Sequence, residues 1–347
     1  MRFYTHNHPY YCGIDLHARS LYVCIVDDSG NICLHKEIKA APEPLQALLS
    51  PYLGQIVVGV ECMHCWYWVA DFCNDNNIEF ILGHALYMRA IHGGKAKNDR
   101  IDSHKIAMLM RGGNFPLAYV YPKAMRATMD LLRRRSKMVR YSGQFKAHVT
   151  NTATQYNLSP PNKGSLRQSS GRAAMATTFD DQSVQRSVDL DLHLVESFDT
   201  QIVQVERFIE QHAKQHNPRD LILLKTIYGI GRILALTILY EIGDIQRFDT
   251  VQQFASYARL VKCKAESAGK TYGTQGNKIG NMHLKWAFSE AAVCYLKGNP
   301  GARAHLERLQ RRMSKAKALS VLAHKIGRCV YFMLKNQQVF DEQRFLG

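Results

Sequence analysis

The chain has 347 residues, enough for two or three domains with separate cores, and its 46% hydrophobic content is typical of a globular protein. Lysine and arginine outnumber aspartate and glutamate by 16, which favours a polyanionic partner. The most apolar stretch, 221–243, is interrupted by charged residues and glycines, and the N-terminus lacks the apolar core of a signal peptide. We therefore expect a cytoplasmic protein without a membrane span.

Residues 10–112 alternate between two kinds of hydrophobic pattern. Short apolar runs predict strands at 11–26, 32–40, 55–60 and 78–82, and the patterns between and after them predict helices at 66–76 and 102–111. The turn-rich cluster at 27–31 predicts a hairpin between the first two strands. A hairpin followed by strand–helix–strand–helix is typical of an α/β domain with a mixed sheet.

The net charge of the central region, 121–218, changes from positive to negative along the chain. Residues 121–172 hold eleven lysines and arginines against one acid, and residues 179–210 hold eight acids against two arginines. The first part predicts a helix through residue 148, and the Ser-, Gly- and Pro-rich segment 159–178 predicts a mobile loop. Apolar residues at alternating spacings of three and four predict a coiled-coil or helix-hairpin seam, formed by Val195, Phe198, Ile202, Val205 and Ile209. We interpret this region as a linker and dimerisation segment.

The C-terminal region, 219–347, reads as mostly helical and basic. The turn Gly229-Ile230-Gly231 precedes a helix at 233–240, and backbone N–H groups in such a turn can meet a phosphate. Residues 297–328 carry nine lysines and arginines against one acid. The sequence therefore predicts a surface that follows a nucleic-acid backbone. The candidate contact residues in the two basic regions are Arg133, Arg134, Arg135, Lys137, Gly229, Gly231, Lys264, Lys270, Arg311 and Arg312.

Four acids stand at the ends of predicted elements in the N-terminal region. Asp15 follows Gly13-Ile14, Glu61 ends an apolar run, and Asp99 and Asp102 open the helix at 102–111. Carboxylates at strand ends and a helix start can converge on a pair of Mg²⁺ (or Mn²⁺) ions of the kind that assist phosphoryl transfer. Each acid alone has an ordinary explanation, such as helix capping or solvation at a strand end.

Ser267 is a second candidate. It lies in Lys264-Ala265-Glu266-Ser267-Ala268-Gly269-Lys270, where basic side chains could stabilise charge on a phosphate under attack by its hydroxyl. An ordinary loop serine is the alternative.

The ordered set of motifs resembles the insertion-sequence-110 (DEDD) family of transposases, which is related to the Piv-type DNA invertases. The N-terminal match consists of Gly13-Ile14-Asp15, Val58-Gly59-Val60-Glu61 and Lys95-Ala96-Lys97-Asn98-Asp99-Arg100-Ile101-Asp102. The C-terminal match includes Ile227-Tyr228-Gly229-Ile230-Gly231, Phe254-Ala255-Ser256-Tyr257 and Gly280-Asn281-Met282-His283. The family commonly has a Ser-Ser-Gly-Gly type loop where this sequence has Glu266-Ser267-Ala268-Gly269.

The resemblance implies a RuvC-like (ribonuclease-H-like) domain at 1–120, a helical linker at 121–218 and a transposase domain at 219–347. It implies that Asp15, Glu61, Asp99 and Asp102 bind divalent metal and that Ser267 attacks DNA to form a phosphoserine intermediate. It further implies donor and target DNA as partners, a structured guide called the bridge RNA, and dimers that pair into a tetramer. Such a recombinase would work in the bacterial cytoplasm at the nucleoid.

Three other functions remain open from the sequence. A Piv-type invertase would share the chemistry without moving its own element. A RuvC-like nuclease would hydrolyse DNA with the acids and ignore Ser267. A non-catalytic nucleic-acid-binding protein would need neither the acids nor the serine.

Overall fold

The computed structural model describes residues 2–91, 98–162, 164–213, 218–275 and 279–347. The chain divides into two compact units, Met1–Lys123 and Ala124–Gly347. The strands of the first unit are β1 Phe3–Tyr4, β2 Tyr10–Leu16, β3 Ser20–Asp27, β4 Ile32–Lys39, β5 Ile56–Glu61, β6 Glu79–Gly83 and β7 Phe115–Pro116. Its helices are α1 Pro42–Leu49, α2 Trp66–Asp75, α3 Ala85–Ile91 and α4 Asp99–Arg111.

Five of these strands form one mixed sheet in the order β4-β3-β2-β5-β6. β2, β3 and β4 are antiparallel neighbours, whereas β5 and β6 continue the sheet parallel to β2. The predicted mixed sheet and the hairpin at 27–31 are thus confirmed. The single strand predicted at 11–26 is wrong, because the chain turns at residues 17–19 and returns as β3, with the backbone N–H of His17 donating to the carbonyl of Ser20 (3.0 Å).

Each face of the sheet has its own core. On one face, α1 and α2 cover Ile14, Val58 and Val60 with buried residues such as Leu45 and Phe72. On the other face, residues of α4 cover the alternate positions, with Ile106, Ala107 and Met110 packed near Tyr11 and Val57. The β2 and β5 runs are therefore apolar at nearly every position because both faces of a central strand are buried.

The second unit begins with a pair of long antiparallel helices, α5 Lys123–Gln155 and α7 Gln182–His212. Ion pairs join their opposite charges, from Arg135 to Glu206 and from Lys146 to Asp199. Val195, Ile202 and Ile209 of the predicted apolar series are buried. The antiparallel pairing explains why residues 121–172 are basic and residues 179–210 are acidic, since the two segments face each other. The coiled-coil and dimerisation roles remain predictions.

The segment 159–178 contains more regular structure than the loop expected from its composition. It holds a short 3₁₀ turn, Ser165–Arg167, and the helix α6 Ser169–Ala176. Leu166 and Met175 are buried in a small cluster with residues of α5 and α7. Burial of these two apolar side chains against the helix pair favours an ordered segment, although its composition is mostly small and polar.

The rest of the second unit is helical apart from one hairpin. Its helices are α8 Pro218–Lys225, α9 Arg232–Ile242, α10 Val251–Tyr257, α11 Met282–Tyr295, α12 Pro300–Gln310, α13 Lys315–Asn336 and α14 Glu342–Leu346, and its strands are β8 Cys263–Ser267 and β9 Lys270–Gln275. α11 packs against α9 and α13. Across the described ranges, every helix is too short or too polar to span a bilayer. The predicted mostly helical C-terminal region is confirmed.

Candidate active site

The ends of β2 and β5 place two acids at the same edge of the sheet. β2 and β5 are parallel, with Gly13 paired to Gly59, and side chains two residues apart along a strand point to the same face. Asp15 and Glu61, each two residues beyond its glycine, therefore share the face that carries α4. Both are only partly exposed.

Helix α4 brings the other two acids to this face. Its N-cap is Asn98, whose side-chain oxygen accepts from the backbone N–H of Ile101 (2.8 Å). Asp99 and Asp102 lie in the first turn without serving as the cap. Asn98 is thus the residue that caps the helix, so helix capping does not explain Asp99 and Asp102.

Gly13 allows α4 to lie directly on β2. A Cβ atom at Gly13 would lie under 3.0 Å from two backbone atoms of α4, the carbonyl oxygen of Ser103 and the nitrogen of Ala107. Only a residue without a side chain permits this approach. The position of Asp99 and Asp102 relative to Asp15 therefore depends on Gly13.

His35 of β4 holds the same end of α4 from the side. Its Nε2 lies 2.9 Å from the carbonyl oxygen of Arg100 and 3.3 Å from Ser103 Oγ. Burial lowers the pKa of His35, which favours a neutral ring that donates from Nε2 to the carbonyl. No local sequence pattern points to His35, because its contact with Arg100 joins residues 65 positions apart.

The carboxylates of Asp15 and Asp99 converge on one imidazole. His17 Nε2 lies 3.4 Å from Asp15 Oδ2 and 3.4 Å from Asp99 Oδ2, and one ligand atom from each of the three residues falls within 4.8 Å of the others. Glu61 lies at the neighbouring strand end, and Asp102 lies one turn along α4, 3.5 Å from Lys105. His17 was not singled out from the sequence. Lys95–Lys97 of the family motif lie outside the described residues.

This cluster brings negative charge together at one end of the sheet. Burial raises the pKa of Asp15, and the nearby Asp99 and Asp102 raise it further, whereas His17 acts to lower it. Converging carboxylates repel one another unless a cation lies between them, and carboxylate oxygens are the ligands that divalent Mg²⁺ and Mn²⁺ prefer. The donor set therefore fits a divalent metal.

Family comparisons identify the chain. Residues 12–158 match the DEDD transposase model of the insertion sequence IS110, and residues 222–307 match the model described as the transposase IS116/IS110/IS902 family. The chain belongs to the IS110 family of transposases. The family resemblance and the enzymatic nature of the protein are thereby confirmed: an IS110 transposase cleaves and transfers DNA strands of a mobile element, and its DEDD domain implies a divalent metal.

Relatives of this IS110 transposase carry matching names. A Pseudomonas aeruginosa protein named as a family 20 transposase is 23% identical over 352 residues, which is 94% of this chain and 97% of that protein. A Sinorhizobium fredii protein named as a transposase is 23% identical over 204 residues, 58% of this chain and 49% of that protein. A Streptomyces coelicolor protein of insertion element IS110 is 26% identical over 126 residues, 36% of this chain and 31% of that protein.

The serine candidate of the transposase lies at a tight hairpin turn. β8 ends at Ser267, which pairs with Lys270, and the two residues between them have positive φ, 50° at Ala268 and 73° at Gly269. Two central residues with positive φ are the mark of a type I′ turn. Ser267 is thus the last residue of a strand and not part of an irregular loop, and Lys270 opposite it is exposed.

The helices on either side of this hairpin, α10 and α11, are joined to each other and to the helical core. The backbone N–H of Asn281 donates to the carbonyl of Tyr257 (2.6 Å), which joins the end of α10 to the start of α11. The Asn281 side chain donates to the buried Glu241 carboxylate (2.7 Å), which also receives Nε (2.6 Å) and Nη2 (2.8 Å) of Arg133. Arg133, Glu241 and Asn281 therefore hold α5, α9 and α11 together.

The basic residues predicted to bind nucleic acid have different surroundings in the transposase. Arg133 and Arg135 form ion pairs with Glu241 and Glu206, whereas Arg134, Lys137, Lys270, Arg311 and Arg312 are exposed. At Gly229 (φ 83°) a Cβ would lie under 3.0 Å from the backbone of Cys294, so this glycine is explained by packing. Gly231, the N-cap of α9, has open space around its Cβ position, and Lys264 is described only through its backbone. Which of these residues contact nucleic acid remains a prediction.

Proposed function

We propose that this transposase breaks and rejoins DNA with a divalent metal site formed by Asp15, Glu61, Asp99 and Asp102 and with Ser267 as nucleophile. The observation that carries the proposal is the convergence of Asp15 and Asp99, from β2 and α4, within the region that matches the DEDD family model. When bound, Mg²⁺ or Mn²⁺ would supply charge stabilisation at the phosphate under attack.

The residues of the chain each have a defined part in this reaction. The four acids would hold the metal, and Gly13 and His35 keep α4 close enough to β2 for the acids to act together. Ser267 Oγ forms a bond to phosphorus, the bond from phosphorus to one deoxyribose oxygen breaks, and the proton of the serine hydroxyl is taken up in net by that leaving oxygen. The covalent phosphoserine preserves the energy of the broken bond for rejoining to a second DNA.

The partners we propose follow from charge and from the family. The exposed cations of α5 and of the C-terminal region can bind the phosphates of donor and target DNA and of a structured bridge RNA. Holding two DNA molecules needs more than one protomer, so we propose dimers that pair into a tetramer. We also propose that the chain has three functional domains, a RuvC-like domain, a helical linker and a transposase domain, with boundaries near residues 120 and 218.

The test is a search for the covalent intermediate. The full-length protein is incubated with the noncoding RNA that flanks its gene, Mg²⁺ and labelled donor and target DNA, then denatured, and labelled DNA is sought on the protein band. We expect an adduct that is lost in Ser267→Ala and in Asp15→Asn. Ser289→Ala is the matched serine control, since the exposed Ser289 hydroxyl donates to the carbonyl of Lys285 within α11.

Other outcomes separate the alternatives. Cleavage without an adduct that persists in Ser267→Ala would indicate a hydrolytic RuvC-like nuclease and reject the serine. An adduct that forms equally well without the noncoding RNA would reject the hypothesis that a bridge RNA guides the reaction.

A further inference from the structure

His17 is the one nitrogen donor in the cluster of ligand atoms recognised among the described residues, and its position is built by the fold. It is the first residue after β2, and its backbone N–H bonds to Ser20 across the turn to β3. This turn directs the imidazole back over the strand end. Nε2 is then 3.4 Å from a carboxylate oxygen of Asp15 on β2 and 3.4 Å from one of Asp99 on α4.

These distances suit metal ligands better than a tight ion pair. A charge-assisted N–H···O bond is about 2.7–2.9 Å long. Adjacent ligands of an octahedral ion with bonds of about 2.1 Å are separated by about 3.0 Å. The two distances from His17 Nε2, 3.4 Å to Asp15 and 3.4 Å to Asp99, are thus nearer the spacing of neighbouring ligands than the length of a tight ion pair. The Asp15 side chain is 16% exposed and that of His17 is 46% exposed.

We propose that His17 is a metal ligand of this site and that its imidazole makes the site bind Mn²⁺ more tightly than Mg²⁺. Mg²⁺ prefers an all-oxygen shell and keeps its water, whereas first-row transition ions accept imidazole nitrogen readily. The inference rests on the proposed metal site and goes beyond it, because the four acids alone would give an all-oxygen shell. A protonated His17 that only bridges the two carboxylates is the competing arrangement.

The experiment measures metal binding by the full-length protein without DNA. Mn²⁺ and Mg²⁺ affinities are determined by calorimetric titration, and the electron spin-echo modulation of bound Mn²⁺ reports a directly bonded ¹⁴N. The variants are His17→Ala, Asp15→Asn and the control His6→Ala. His6 is an exposed histidine in the same unit whose Nδ1 lies 3.5 Å from a single carboxylate, that of Glu79.

We expect ¹⁴N modulation in the natural protein and in His6→Ala, and none in His17→Ala. The Mn²⁺ affinity of His17→Ala should fall by at least about tenfold, in the range found when groups that support a metal site are removed, with a much smaller change for Mg²⁺. Mn²⁺ that binds with Asp15-dependent affinity but shows no ¹⁴N modulation, or unchanged Mn²⁺ affinity in His17→Ala, would overturn the role of His17 and leave the acid site standing. If no metal binds, or if Asp15→Asn leaves the affinity unchanged, both the proposed acid site and the role of His17 would be overturned.

Discussion

Gly13 sets the separation between β2 and α4, and replacing it with alanine tests whether the acid site depends on that separation. The added Cβ would lie under 3.0 Å from the backbone oxygen of Ser103 and the backbone nitrogen of Ala107. Because both are main-chain atoms in the middle of a helix, no side-chain rotation relieves the clash, and α4 must move away by about 1 Å to reach normal contact distance.

This displacement has two measurable consequences. Overpacking of a well-filled core costs about 1–3 kcal/mol, and we expect the upper part of that range because helix backbone rather than a side chain must move. The N-terminus of α4 carries Asp99 and Asp102, so the acids would be displaced relative to Asp15 by a similar distance. A misplacement of about 1 Å can cost about 100-fold in rate, and divalent-metal affinity should fall as well.

The matched control is Gly59→Ala, at the residue paired with Gly13 on the neighbouring strand. Its Cβ would meet the thioether of Met110, the flexible end of a side chain, so we expect a cost below about 1.5 kcal/mol and nearly unchanged metal affinity. Urea unfolding gives the free energies, and calorimetric titration gives the affinities. If Gly13→Ala matched Gly59→Ala in both measurements, the close approach of α4 would not be what positions the acids.

Two further predictions concern the second unit. Arg133→Ala removes the bidentate partner of the Glu241 carboxylate, which belongs to a residue only 1% exposed. We expect the free energy of unfolding to fall by about 3 kcal/mol and the thermal midpoint to fall with it, whereas Arg134→Ala, at an exposed position, should have almost no effect. Equal midpoints for the two variants would refute this reasoning. Burial lowers the pKa of His283, so the folded state binds fewer protons than the unfolded state and stability falls as the pH drops below about 6.5. His283→Gln should therefore show a weaker loss of urea resistance between pH 7.5 and pH 5 than the natural protein, and an identical loss would reject this role.

The N-terminal unit was largely predictable because its elements are marked locally. Apolar runs that end in acids identify β2 and β5, and parallel strands bring their ends to one edge. The turn at residues 17–19 has no local signal, because His17-Ala18-Arg19 contains none of the usual turn residues, and the sequence therefore predicts one strand where the structure has two. That error also concealed His17, whose side chain reaches the acids only because the chain reverses there.

Contacts between distant residues account for most of the rest. His35 meets the carbonyl of Arg100, and Arg133 meets Glu241, over separations of 65 and 108 residues that no local pattern encodes. No sequence pattern predicts the hairpin at Ser267, because its turn is Ala268-Gly269, and alanine at φ 50° is a rare choice where Asn or Asp is expected. The four acids were recognisable from the sequence, while the groups that position them were not.

The basic residues of α5 show why net charge alone does not identify the residues that contact nucleic acid. A helix repeats every 3.6 residues, so a continuous basic run is divided between its faces. Arg135 and Lys146 point toward α7, where Glu206 and Asp199 neutralise them, whereas Arg134 and Lys137 remain exposed. Part of the positive charge therefore holds the helix pair together, and it is the exposed part that can neutralise phosphates of DNA or RNA.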